Sequence, residues 1–140
     1  MSLQYAPTFT NGTAGNLIAS GALTHGATTT ANFYVGVSGQ SGAQGSITTG
    51  SAIFGRVQVW NTGGSSVTSG AYVQVQIFST SDGTHYDTIT YGGINFQIAT
   101  VASTAAYQSF DLPPGQYQIS LYNSDSTNST TVEATLGTAA

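Results

Sequence analysis

Polar and apolar residues alternate along most of this chain. In AYVQVQIF, Val73, Val75 and Ile77 fall on one side while Gln74 and Gln76 fall on the other. A period of two is that of a β-strand with one face on a core and one in water. The pattern recurs in RVQVW (Val57 and Val59 against Arg56 and Gln58), in INFQIA (Ile94, Phe96 and Ile98 against Asn95 and Gln97), in YQISLY (Tyr117, Ile119 and Leu121 against Gln118 and Ser120) and in TVEATL (Val132, Ala134 and Leu136 against Glu133 and Thr135). ANFYVGV, with Phe33, Val35 and Val37 on one side, YQSFDL, with Phe110 and Leu112, and NLIASGAL add three weaker strands. No segment sustains a 3.6-residue period. Strands punctuated by NTGGSS, SDGT, PPG and NSDSTN predict an all-β, antiparallel β-sandwich of about eight strands, jelly-roll or immunoglobulin-like.

The pattern also predicts what lies outside the body. Residues 1–15, with Pro7 followed by a Gly/Asn/Thr cluster, read as an N-terminal arm of the kind that orders on a partner or stays loose. Residues 16–140 read as a single sandwich domain, and 140 residues suit one core. GVSGQSGAQG, from Gly36 to Gly45, carries glycine at every third position but lacks the many triplets and prolines of collagen, and so reads as a long flexible loop.

Composition narrows the function classes. The chain has one Lys or Arg, five Asp or Glu and a net charge of −4; Arg56 is its only side-chain cation of that kind and lysine is absent. Nucleic acid and anionic membranes are bound through clusters of Lys and Arg, so direct binding to either is not expected. With no cysteine there is no disulfide, thiolate nucleophile or Cys-based zinc site. MSLQYAPTFT has neither the basic region nor the apolar run of a secretory signal, and no later segment reaches the ~20 apolar residues of a membrane helix. The expectation is a soluble chain made in the cytoplasm.

The densest chemistry is in SDGTHYD, where Asp82, Asp87 and His85 stand close together. It lies between VQVQIFST and a strand region expected at DTITYGG, and Asp82-Gly83 supplies the positive φ that a chain reversal needs, so it reads as a turn. The full oxygen-ligand pattern of a calcium loop is missing. His25 and His85 could in principle serve a Ser-His-Asp triad, but G-x-S-x-G does not occur and GQSGA around Ser41 only approaches it. Nothing marks a facing carboxylate pair for glycoside hydrolysis, and no G-x-G opens a dinucleotide loop. Neither enzymatic activity nor a cofactor or metal is expected. The aromatics Trp60, Tyr72, Tyr86, Tyr91, Tyr107 and Tyr122 are candidates for contacts with a sugar or a subunit, with Trp60, Tyr72 and Tyr86 as the leading interaction surface. The sequons at Asn11 and Asn128 carry no weight without a signal peptide.

FDLPPGQYQISLYN, Phe110 to Asn123, resembles the corner of immunoglobulin-like and fibronectin type III sandwiches, where a Pro-Gly turn (Pro114-Gly115) and a tyrosine (Tyr117) lead the chain from one sheet to the other. Over roughly residues 50 to 137, the run VQVQIFS into SDGTHYDT, the Pro-Gly turn and the final TTVEATLG resemble a module of tailed-bacteriophage virion proteins, notably head decoration or cement proteins. That resemblance implies a homo-oligomer, as a trimer, seated on the major capsid protein at the virion surface and resisting internal pressure.

A physical argument converges on assembly. Monomeric proteins guard sheet edges with lysine, other charges or proline, whereas these strands carry Gln, Thr and Ser. Edges of that kind are expected to be covered by a partner, through contacts insensitive to salt. The expected function is therefore a capsid decoration protein, with a carbohydrate-binding module or a tail or fibre component as alternatives.

Overall fold

The computed structural model describes residues 9–35 and 54–139. The glycine-rich stretch 36–45 and Val37 lie outside these residues. Eight strands follow in order: β1 Phe9–Leu23, β2 Thr28–Val35, β3 Phe54–Gly63, β4 Tyr72–Thr80, β5 Asn95–Ala99, β6 Ala105–Leu112, β7 Gly115–Asn123 and β8 Thr130–Ala139. β2 to β8 each overlap an alternating segment of the sequence, and β1 includes NLIASGAL. Of residues 1–15, the backbone of 9–15 runs in β1, where Phe9, Thr10 and Asn11 pair with Ala139, Thr138 and Gly137 of β8.

The strands form two antiparallel four-stranded sheets, in the orders β1-β8-β3-β6 and β2-β7-β4-β5. Every consecutive pair of strands crosses between sheets except β4 and β5, which share a ladder. This is the double Greek key of a jelly roll. An immunoglobulin-type sandwich would pair several consecutive strands side by side, so the strand order corrects the immunoglobulin-like alternative.

Alternation explains the core. Val57 and Val59 of β3, Val73, Val75 and Ile77 of β4, Ile119 and Leu121 of β7, and Val132, Ala134 and Leu136 of β8 all meet between the sheets, fully or almost fully buried. Each large aliphatic so buried stabilises the fold by about 1.5–3 kcal/mol relative to exposure. Phe96 and Phe110 close one flank edge to face, with ring centroids 5.7 Å apart. At Gly55 the sheets come so close that a Cβ would stand 2.9 Å from Val35 Cγ2 and 3.0 Å from Leu136 Cδ1.

Two connections bear on the candidate sites. Pro113 and Pro114 carry the chain from β6 in one sheet to β7 in the other, and the Tyr117 hydroxyl donates to the Pro113 carbonyl over 2.7 Å. The ring packs between Phe33 and Tyr91, and burial pushes the phenol above its ordinary pKa. Between β4 and β5, the region expected to be a strand at DTITYGG contains none. Residues 88–90 are irregular and Tyr91–Gly93 form a single 3-10 turn, with Gly92 and Gly93 at positive φ. Two consecutive left-handed glycines cannot continue a ladder, so the chain turns there before β5 begins.

Candidate functional site

The segment SDGTHYD folds on itself immediately after β4. Asp82 Oδ1 accepts from the backbone N–H of Thr84 and of His85, each over 2.8 Å, and Oδ2 lies 2.7 Å from His85 Nδ1. Gly83 takes φ 77°, and Thr80 bridges to Tyr86 to close the reversal. The His85 backbone N–H, the His85 ring and the Thr84 N–H together hold the Asp82 carboxyl well below the usual carboxylate range. Asp87 is occupied separately, accepting from Ser79 Oγ over 3.0 Å while its own N–H donates to the Ser79 carbonyl. Both acids are thus engaged in stitching the turn. Among the described residues, no three of His, Cys, Asp and Glu gather as metal ligands.

Beside this turn, Ser79, Asp87, Thr88, Ile89, Thr90, Tyr91 and Gly92 line an open depression of about 370 Å³. Its titratable groups are one carboxylate, already bonded to a serine, and one phenol, with no histidine to activate a nucleophile. Ile89, at 80% exposure, stands out of its rim.

The chain holds a second aspartate turn that sequence reasoning passed over. Asp125, only 3% exposed, accepts from the N–H groups of Thr68, Thr127 and Asn128 over 2.9 Å each and from the Thr68 hydroxyl over 2.7 Å. Burial alone would raise its pKa, but these donors outweigh it and hold the carboxyl well below the usual range. Neighbouring Asn123 is fully buried; its amide donates to the carbonyls of Leu23 and Asn128 and accepts from the Asp125 N–H. The cluster ties three loops together and leaves no carboxylate oxygen for a ligand. The available signal was the run NSDSTN, whose polar residues match those of an ordinary loop.

The leading aromatics do not share a surface. Trp60 projects from the outer face of the β1-β8-β3-β6 sheet, because its neighbours Val59 and Asn61 point inward. Tyr72 begins β4 on the outer face of the other sheet, and Tyr86 follows the far end of that strand beside Thr80. A nine-residue strand separates Tyr72 from Thr80, a span of roughly 26 Å at β spacing. What the structure does bring together is Trp60 with Tyr107, edge to face at 5.8 Å, and with Glu133, its cross-strand neighbour on β8.

The two outer faces differ in charge. β2, β4, β5 and β7 contain no Asp, Glu, Lys or Arg at all, and their outer positions carry Gln74, Gln76, Asn95, Gln97, Gln118 and Asn32, of which Gln74 bonds to Asn95 and Gln118 to Asn32. The charges within strands, Arg56, Asp111 and Glu133, all belong to the opposite sheet. There Asp111 grips Arg56 with both oxygens, at 2.7 and 3.1 Å.

No protein-family model and no curated protein matches this chain. Among solved structures it is similar to the naturally occurring empty particles, or top component, of cowpea mosaic virus, with 10% identity, a TM-score of 0.48 and coverage of 97% of this chain and 88% of that chain. It is also similar to the cowpea mosaic virus empty virus-like particle, with 10% identity, a TM-score of 0.43 and coverage of 100% of this chain and 87% of that one. The jelly-roll assignment rests on the strand order and not on these likenesses.

Proposed function

We propose that this chain is a non-enzymatic structural protein of a virion: a decoration or cement protein that associates with itself, as a trimer, and binds the major capsid protein on the outer lattice. The observation that carries the reading is the state of the sheet edges. Among the described residues, the outer strands are β1 and β6 in one sheet and β2 and β5 in the other, and β1, β2 and β5 contain no charged residue and no proline. An edge without those guards offers its unpaired N–H and C=O groups to another chain. The fold supports the reading by analogy only, since jelly rolls serve viral capsids, lectins and cupins alike.

Such an assembly forms through backbone and amide hydrogen bonds and apolar burial, with few charges for salt to screen. Light scattering on the purified chain, at low and high salt, and then its return to particles stripped of their accessory proteins, test the reading. The expected result is a salt-resistant trimer that binds the particles. A monomer that never binds them overturns it.

A further inference from the structure

Four of the five acids have a partner in the structure. Asp82 closes its own turn, Asp87 accepts from Ser79, Asp111 holds Arg56 and Asp125 locks the loops. Glu133 has neither a hydrogen bond nor an ion pair among the described residues, although it is half-buried on a strand inside the β1-β8-β3-β6 sheet. Its outward direction follows from its buried neighbours Val132 and Ala134.

Register places this carboxylate in a row with two aromatic rings. Trp60 of β3 pairs with Glu133 on one side and with Tyr107 of β6 on the other. Directly opposed residues on one face stand about 4.5–5.5 Å apart at Cβ, so the three side chains are contiguous. Tyr107 is 60% exposed and meets Trp60 edge to face. On the far side of Glu133, β1 bulges between Ile18 and Gly21 and carries only the small exposed residues Ala19 and Ser20, so the carboxylate is open from that side. The Trp60 Nε1 atom is buried and makes no hydrogen bond, which leaves the indole to present carbon surface outward and no donor.

A negative charge beside aromatic rings is suited to a flat, hydrogen-bonding cation. The ring quadrupole attracts the guanidinium plane, and the carboxylate accepts its paired N–H donors. We propose that the row Tyr107–Trp60–Glu133 is a docking point for an arginine side chain presented by a different protein. A second copy of this chain offers only Arg56, which Asp111 already holds with both oxygens, and no lysine, so it is the poorer source. The charge complement therefore lies on another polypeptide. This goes beyond the capsid reading and does not depend on it, since the contact chemistry is the same whatever surface bears the arginine.

Trp60 is the only tryptophan, so its fluorescence reports on this site alone. The full chain is titrated with triarginine amide and, separately, with the neutral isostere tricitrulline amide. A saturating change with the first and none with the second is expected. Glu133→Gln weakens the response about tenfold, while Asp87→Asn, which removes the same charge elsewhere, leaves it within about twofold. Tyr107→Ala, at an exposed position, weakens it about threefold and provides a second readout if Glu133→Gln folds poorly. No response to triarginine, an equal response to tricitrulline, or equal loss in the Glu133 and Asp87 variants overturns the proposal. A response to maltotriose that persists in Glu133→Gln also overturns it and makes the row a saccharide site. Binding to stripped particles is scored separately, so failure of the capsid reading leaves this result interpretable.

Discussion

Ser81-Asp82-Gly83-Thr84 and Ser124-Asp125-Ser126-Thr127 are near-identical tetrapeptides, and both aspartates accept backbone N–H bonds from the residues two and three positions on. Their settings differ. Asp82 is exposed and its partners all lie between Thr80 and His85, whereas Asp125 is buried and reaches across to Thr68, 57 residues away in sequence. One local motif therefore makes a self-contained turn at one end of β4 and a clamp between distant loops beside the other. What separates them is the tertiary donor, because removing a buried carboxylate leaves its N–H donors stranded from water, while an exposed one is replaced by solvent.

Substitution tests this contrast most strongly at the clamp. Asp125→Ala should lower the thermal midpoint by roughly 10 °C, measured by circular dichroism, because it strips three part-buried N–H groups and the Thr68 hydroxyl of their acceptor at once. Asn123→Ala removes the adjoining amide and should cost about 3 kcal/mol in urea unfolding at unchanged m-value. The pH dependence comes next. The folded carboxyl of Asp125 titrates below its unfolded value of about 3.9, so its contribution is complete above that value and disappears as pH falls through the folded one. The midpoint gap between the native chain and Asp125→Asn should accordingly narrow as pH falls below about 5 and still be closing at about pH 2. Asp82→Ala should have the smallest effect, moving the midpoint by no more than about 2 °C while speeding amide exchange at Thr84 and His85. Equal losses at Asp82 and Asp125 would break the comparison.

The positions of the strands were legible in the sequence because a period of two is a local signal, and every inward residue named from Val57 to Leu136 on β3, β4, β7 and β8 is buried. Strand order was not legible, since alternation says which face is wet but not which neighbour supplies the ladder. Tyr117 was legible from PPGQY, a short-range pattern with a short-range bond to Pro113. Asp125 was not, because its decisive donor comes from the β3–β4 loop. The aromatic contacts were missed for the same reason. Trp60, Tyr72 and Tyr86 resemble one another as single residues, yet Trp60 meets Tyr107 and Glu133 only through the register of β3 with β6 and β8.

The pairing of β1 with β8 also bears on how the chain is made. Among the described residues, the only ladder partner of β1 is β8, more than a hundred residues further along the chain in its pairing of Phe9 with Ala139. During synthesis β1 therefore leaves the ribosome without its mate and stays unpaired until β8 emerges. With ladders almost all between strands distant in sequence, closure of the body is slow and waits until β8 has emerged. β1 thus stays an unguarded ribbon for as long as the ribosome takes to travel from β1 to β8, and the pace of that stretch governs how long neighbouring nascent chains can seize it.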